Sequence, residues 1–430
     1  SVYYGLVSGI DYACSALYSY IMYYREFSTF VFLCLCLQMV QSHKYGLVQS
    51  WANCQEDFKK SIYQQFPVKV GEYLTKVLGV NGTGFVFSQL PIFRELLIYF
   101  LGAAVPVKES IRTFLRLPND TNCDDSLVGL LSIIIQDAFK NGTIDHISMF
   151  YYDMNKELHD DNHTFRTAFR PDMKFPVDFR NKTVVLNTIN AKYEQLSGIK
   201  GSLALQHGLN QKSNFYILDF INMKSSIFNT QSVNSTQQFT DLDGHKKNVE
   251  WVKMTGTIKV KTFNASRNLT LDFIRSTVVD GSLYLLYLRP HLNKFKNRAL
   301  KCRYIQKVFS NLRKCVNKTL EDNFEKATSV DSLLVPLMDF RTDVDLKPVL
   351  MANLSTLFQP DQITELYKNE MNTLYEMRKF EDFSNKGVKN YTEDAGKVDI
   401  TVDTPFVFVL IHKETQLIMK AGAYLGGKQV

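Results

Sequence analysis

The 430-residue sequence is short of cysteine and tryptophan, with seven and two respectively, and it holds none of the short motifs that announce catalysis. Gly-x-Ser-x-Gly, His-Glu-x-x-His, Gly-x-Gly-x-x-Gly and the Walker loop are all missing, so a nucleophile elbow, a zincin helix and a phosphate cradle have no place in it. There are no internal repeats, low-complexity tracts or long Gly/Ser or Pro linkers, which excludes a solenoid and argues for one domain. A net charge of +7 is too small an excess for a dedicated nucleic-acid binder, and no nucleic-acid partner is expected. The nearest approach to a metal site is His159-Asp160-Asp161-Asn162-His163. That stretch is polar and contains Asn162-His163-Thr164, so it reads as an exposed loop. No metal, no cofactor and no enzymatic activity are expected. Acidic residues are absent between 281 and 320, where ten basic residues occur, among them Lys294, Lys296, Arg298, Lys301, Arg303, Lys307, Arg313 and Lys314. Phe295, Tyr304, Ile305, Val308 and Phe309 interleave them. This is the pattern of helices with one buried face and a charged one, and a sulfated glycosaminoglycan or another polyanion is the partner it would suit.

At the amino end the first Met is Met22, followed by Tyr23, Tyr24 and Arg25, an apolar stretch over 27–40, and Gln41-Ser42. This is the layout of a signal peptide, and the run is too short for a membrane span. Residues 1–21 are then upstream sequence, 22–42 the signal peptide, and 43–430 the mature domain, with no membrane span. A second observation points the same way. Asn-x-Ser/Thr sequons fall at Asn81, Asn119, Asn141, Asn162, Asn181, Asn234, Asn264, Asn268, Asn317, Asn353 and Asn390. Chance would give about four. Eleven imply a surface glycosylated in the secretory pathway, hence a secreted, extracellular glycoprotein. Removing 1–42 leaves Cys54, Cys123, Cys302 and Cys315. Four cysteines in an oxidising compartment favour two disulfides, with Cys54–Cys123 and Cys302–Cys315 as the expected pairs and buried free thiols as the alternative.

Hydrophobic periodicity places helices first: 51–66, the nearly all-apolar 85–103, 107–117 and 124–140. Strands dominate later, over 143–153, 214–222, 248–263 and 281–288, with helix again near 299–312 and a terminal pair of strands over 405–411 and 416–425. Helices followed by mixed sheets indicate an α+β fold.

The segment Val402-Asp403-Thr404-Pro405-Phe406-Val407-Phe408-Val409-Leu410-Ile411-His412, with Ala421-Gly422 near its end, resembles the terminal signature of the serpin (serine protease inhibitor) family. Phe85-Val86-Phe87-Ser88 leading into an apolar helix and Leu101-Gly102-Ala103-Ala104 is similar to the family's buried helix B. Thr240-Asp241-Leu242-Asp243-Gly244 through Val249, Val252, Lys253 and Met254 matches a third segment, and Leu333-Val335-Pro336 with Phe340 and Asp345-Leu346-Lys347-Pro348-Val349-Leu350 a fourth. The resemblance spans about 51–425 in family order. It implies three β-sheets, eight or nine helices, and an exposed reactive loop near the C-terminus, here 384–403. In inhibitors a protease cleaves that loop, which then inserts into the main sheet and carries the trapped enzyme with it.

Insertion requires a small, unbranched hinge. Here Val388, Lys389, Asn390, Tyr391, Thr392, Glu393 and Asp394 stand there, with Lys397 beyond, and Asn390 is itself a sequon. Unpaired polar groups cost about 2–7 kcal/mol each to bury, and charges more. The loop also looks short, and its bait position falls near 391–394. Where the family controls sheet opening, Ser88 is kept, but Ser-Pro-x-Ser has become Ser88-Gln89-Leu90-Pro91. Asp219 replaces a buried Asn, Ile227 a Trp, and no His lies between Leu292 and Ile411. The expectation is a monomeric secreted serpin relative that no longer inhibits by insertion and acts by extracellular binding. Its partner would be an extracellular serine protease or a non-protease ligand. A working serine protease inhibitor and a polyanion-binding protein are the alternatives.

Overall fold

The computed structural model describes residues 53–54, 58, 66–78, 82–127, 129, 131, 144–158, 173–198, 208–210, 212–223, 228–266, 269–277, 281–292, 295, 297–320, 324, 326–360, 362–367, 370–372, 374–386, 389–392 and 398–426. The expected leader over 1–42 lies outside them, as does His159–His163. Contacts group the chain into a leading unit, Ser1–Asp57, and a second, Phe58–Val430; the architecture below is that of the second.

Seven α-helices lie among the described residues: α1 (Phe66–Val77), α2 (Gln89–Gly102), α3 (Val105–Leu115), α4 (Lys182–Ser197), α5 (Arg298–Ser310), α6 (Leu312–Leu320) and α7 (Lys347–Leu354). The strands begin with β1 (Phe85–Phe87), β2 (Ile144–Asp153), β3 (Lys174–Val177), β4 (Phe215–Met223), β5 (Thr230–Val233), β6 (Phe239–Thr240) and β7 (Lys246–Lys247). They continue with β8 (Trp251–Ser266), β9 (Leu269–Thr277), β10 (Leu283–Pro290), β11 (Thr328–Pro336), β12 (Asp339–Asp345), β13 (Ile363–Tyr367) and β14 (Glu370–Asn372). The last are β15 (Arg378–Ser384), β16 (Lys389–Thr392), β17 (Ile400–Thr401), β18 (Phe406–His412) and β19 (Ile418–Tyr424).

Two of the expected sheets are one continuous sheet here, ordered β1-β19-β18-β10-β9-β8-β11-β17, with β5 on β8 and β16 on β5. The long β8 joins them. Its second half pairs with β9 from Ile258 to Ser266, while Trp251 to Met254 lie between β11 and β5. The change of partner falls at Gly256, whose φ of 136° only glycine adopts readily, opposite a register shift between Val330 and Ser332. At the centre, every residue of β18 is buried, so the strand is apolar on both faces instead of alternating. Phe408 stacks on Phe340 at 5.5 Å and on Phe383 at 4.8 Å, tying β18 to β12 and β15. The small residues of β19 have a steric cause. A Cβ on Gly422 would meet the Phe85 carbonyl oxygen at 2.2 Å and the Phe408 ring at 2.5 Å.

The third sheet comes in two pieces. β3-β2-β4 form one, and β12-β15 the other, with no ladder between β4 and β15 among the described residues. Over their junction lies α4. Tyr193 on this helix packs against Phe220 of β4 at 4.7 Å and Phe380 of β15 at 5.2 Å. Beneath it lies α2, buried along its whole length.

Periodicity puts the apolar 85–103 segment among the helices, while the resemblance has Phe85-Val86-Phe87-Ser88 leading into one. Phe85–Phe87 form β1, paired with Phe87↔Ala421 to Phe85↔Ala423 of β19, and the helix begins after Ser88. Alternation cannot mark such a strand when its sides are both buried. Helix α4 was missed because Thr183, Val184, Val185, Thr188 and Ile189 are β-branched. The Asn181 cap, whose side chain accepts from the Val184 amide, starts it nonetheless.

Candidate functional site

Helix α2 reads as an apolar rod interrupted by Arg94 and Glu95, and these two residues organise the site. Ionised groups in a dry interior need partners. Arg94 Nη1 donates to Asp219 Oδ2 on β4 at 2.7 Å and also to the Ser148 hydroxyl on β2. His146 Nε2 lies 2.6 Å from the other Asp219 oxygen, and Ser148 Oγ is 3.3 Å from Oδ2. Burial alone would raise the Asp219 carboxyl, yet the charges of His146 and Arg94 hold it well below the usual carboxylate range.

Glu95 faces the other half-sheet. It forms an ion pair with Lys379 of β15, both nearly without solvent exposure, and accepts from Tyr99 Oη at 2.8 Å. About two turns back, at the N-cap of α2, Ser88 Oγ donates to Glu381 Oε2 at 2.6 Å. Lys420 of β19, 1% exposed like Glu381, reaches the same oxygen at 3.1 Å and the Asp382 carbonyl at 2.6 Å. On the outer face the Tyr193 hydroxyl donates to Asp382 Oδ2 at 3.3 Å. Adjacent residues of one helix thus hold the two halves of the divided sheet, Arg94 the β4 half and Glu95 the β15 half.

Of the sequence-predicted opening residues, Ser88 and Asp219 both lie in this network, but on opposite sides of the junction. Arg94, Glu95, His146, Lys379, Glu381 and Lys420 were missed. A charged pair inside an apolar helix was the available signal for the first two. For the strand residues there was none, because Lys379, Glu381 and Asp382 read as a solvated face.

The reactive-loop candidates fall partly outside the described residues, which omit Glu393, Asp394 and Lys397. Lys389, Asn390, Tyr391 and Thr392 form β16, parallel to β5 in the register Lys389↔Gln231 and Thr392↔Val233. This part of the chain extends the edge of the large sheet.

The basic run divides into unlike parts. Lys294 and Lys296 lie outside the described residues. Arg298 is paired with Asp243 at 2.6 Å. Lys301 and Arg313 are half-buried, Arg303 and Lys314 exposed, and Lys307 sits over the Tyr304 ring at 5.1 Å. Among the sequons, the described side chains of Asn119, Asn181, Asn234, Asn264, Asn317 and Asn353 are all exposed. Asn81, Asn141, Asn162 and Asn268 lie outside the described residues, as does the side chain of Asn390.

The cysteine expectation needs one correction. Cys54 and Cys123 are disulfide-bonded, but Cys302 and Cys315 are free and buried. Cys302 lies eight residues before the end of α5 and Cys315 three residues into α6. At about 1.5 Å per residue that leaves a long run of helix between them, and a disulfide needs Cα atoms within about 7 Å. Burial raises both thiols, that of Cys315 to about 12.

Residues 72–426 match the family model described as Serpin (serine protease inhibitor). The chain is a serpin. By sequence it matches no curated protein. Its fold is similar to that of native protease nexin-1 with heparin, at 15% identity and a TM-score of 0.67, covering 87% of this chain and 99% of that one. Human thyroxine-binding globulin complexed with thyroxine gives 14% and 0.67, covering 86% and 99%. Uncleaved ovalbumin gives 15% and 0.65, covering 85% and 99%. At these identities the likeness is one of fold. Among the described residues no helix of this serpin is long and apolar enough to cross a membrane.

Proposed function

We propose that this serpin has lost suicide inhibition and acts outside the cell as a monomeric binding protein. The observation that carries the reading is the pair of buried ion pairs made by Arg94 and Glu95 to opposite halves of the divided sheet. An inserted strand must push β4 and β15 apart by one strand spacing, about 4.8 Å. With α2 held to both sides, no such displacement leaves both ion pairs intact. Breaking one by separation leaves buried charges, at about 3–5 kcal/mol. The entering segment would add Lys389, Glu393 and Asp394 to the same interior. Docking of β16 on β5 supports the reading, since that part of the loop is engaged at another edge.

The exposed sequon asparagines support the secreted, glycosylated state. At Asn181 the helix cap uses Oδ1, which leaves Nδ2 for a sugar.

Inhibition of a serine protease is the competing reading, and one observation favours it. No ladder joins β4 and β15 among the described residues, and an entering strand would pair between them. Incubation with trypsin-, chymotrypsin- and elastase-like proteases separates the two. Cleavage in the loop without an SDS-stable complex, and without a rise in melting temperature, is the expected outcome; a covalent complex overturns the proposal.

A further inference from the structure

The chain leaves β15 through Asn385, which is wholly buried. Its Nδ2 donates to the Pro336 carbonyl at 3.1 Å and its Oδ1 accepts from the Met338 amide at 2.8 Å, where β11 turns into β12. Its own carbonyl accepts from the Thr230 hydroxyl at 2.8 Å, at the first residue of β5. These bonds deliver the chain to the side of β5 opposite β8, and Lys389–Thr392 run along that side as β16. The returning stem is held as closely. Asp399 Oδ2 accepts from the amides of Asp331 and Ser332, each at 3.0 Å, and from the Ser332 hydroxyl at 3.1 Å. Ile400 and Thr401 then pair with Leu333 and Leu334 of β11. Both stems of the loop are thus fixed at β11 by side-chain bonds to backbone.

We infer that β16 is an autoinhibitory strap, a strand added within one chain that keeps Lys389–Thr392 from both the β4–β15 junction and a protease. The ladder is made by backbone groups, so it works independently of the side chains that make this segment costly to bury. β5 and β4 belong to different sheets, and one segment cannot pair in both. Undocking must therefore precede any insertion. A protease likewise takes its substrate as an extended strand through backbone groups, and β5 already occupies one edge of β16. Covering β5 also closes a sheet edge that another chain could join. The inference deepens the non-inhibitory reading and rests on it for the fate of the loop, while the dock itself stands on the ladder and the two stems.

Two measurements test the strap, both on the full glycoprotein carrying Asn390→Gln, so that no sugar shields the segment. Lys389 lies opposite Gln231 in the ladder, so Lys389→Cys with Gln231→Cys should oxidise to a disulfide. Lys389→Cys with Val233→Cys is out of register by two residues, ~6.6 Å along the strand, which takes the Cα atoms past the ~7 Å limit, and should not link. In the second measurement, trypsin should cut after Lys389 and chymotrypsin after Tyr391 at least about 10-fold more slowly than in a peptide spanning 385–402, because cutting follows the undocked population. Thr230→Val keeps the volume but removes the hydroxyl, and should speed both cuts about fivefold with the circular dichroism unchanged. Mass spectrometry of the fragments reads the sites. The strap is overturned if both cysteine pairs link equally, if neither links, or if the folded protein is cut as fast as the peptide. A covalent protease complex formed by the reduced protein but not by the linked one would sink the non-inhibitory reading and leave the strap as its brake. Equal linking of both pairs with no complex would do the reverse.

Discussion

Replacing Arg94 with Met tests the sheet lock directly. The Arg94 and Asp219 side chains are 7% and 0% exposed, and their 2.7 Å contact is the strongest compensation Asp219 receives from α2. Methionine keeps the volume of the stem but removes the charge, leaving the carboxylate with His146 at 2.6 Å and Ser148 at 3.3 Å. Breaking a buried pair in this way costs about 3–5 kcal/mol, and the remaining histidine places the expectation near the lower end, about 3 kcal/mol. With a urea m-value of about 3 kcal/mol/M, the midpoint should fall by about 1 M, followed by far-UV circular dichroism and tryptophan fluorescence. Substituting both partners, Arg94→Met with Asp219→Leu, should recover most of the loss, because an apolar pair of similar volume needs no compensation. The pH dependence has a fixed sign. The folded carboxyl of Asp219 is depressed, so its stabilisation is present above the unfolded value of about 3.9 and is lost as the pH falls through the folded one. The gap between wild type and Arg94→Met should therefore be widest near neutrality and close as the medium is acidified below about pH 4. A loss under 1 kcal/mol at pH 7, or a gap that stays constant down to pH 2, refutes the reasoning.

Native protein should resist alkylation at Cys302 and Cys315 at pH 8, since both are buried and the latter titrates at about 12; denatured, unreduced protein should label at both, as read by peptide mass spectrometry. Gly422→Val should destabilise by about 1–3 kcal/mol or more, because the obstacle is the Phe85 carbonyl and cannot rotate away; urea titration checks it. Glycan mapping of secreted protein should find occupancy concentrated among Asn119, Asn181, Asn234, Asn264, Asn317 and Asn353, whose side chains are exposed.

The terminal strands, the apolar helix and the α+β order were legible because their signals are local: β18 is a continuous apolar run, and α2 begins where Ser88 ends β1. The family resemblance was carried by those same runs. Less legible were β15 and α4. In the first, Lys379, Glu381 and Asp382 disguise a strand whose charges are paired inside the molecule. In the second, β-branched residues argue against the helix that Asn181 caps.

By itself the sequence determined the family, the density of sequons and the charge of the loop, since each is a matter of which residues occur in which order. It could not determine that Arg94 and Glu95 reach opposite halves of one sheet, or that Ser88 and Lys420 meet on Glu381. Those pairings join residues separated by scores to hundreds of positions. A charge reads as solvated until its partner is known, and only the folded chain brings the partner within reach.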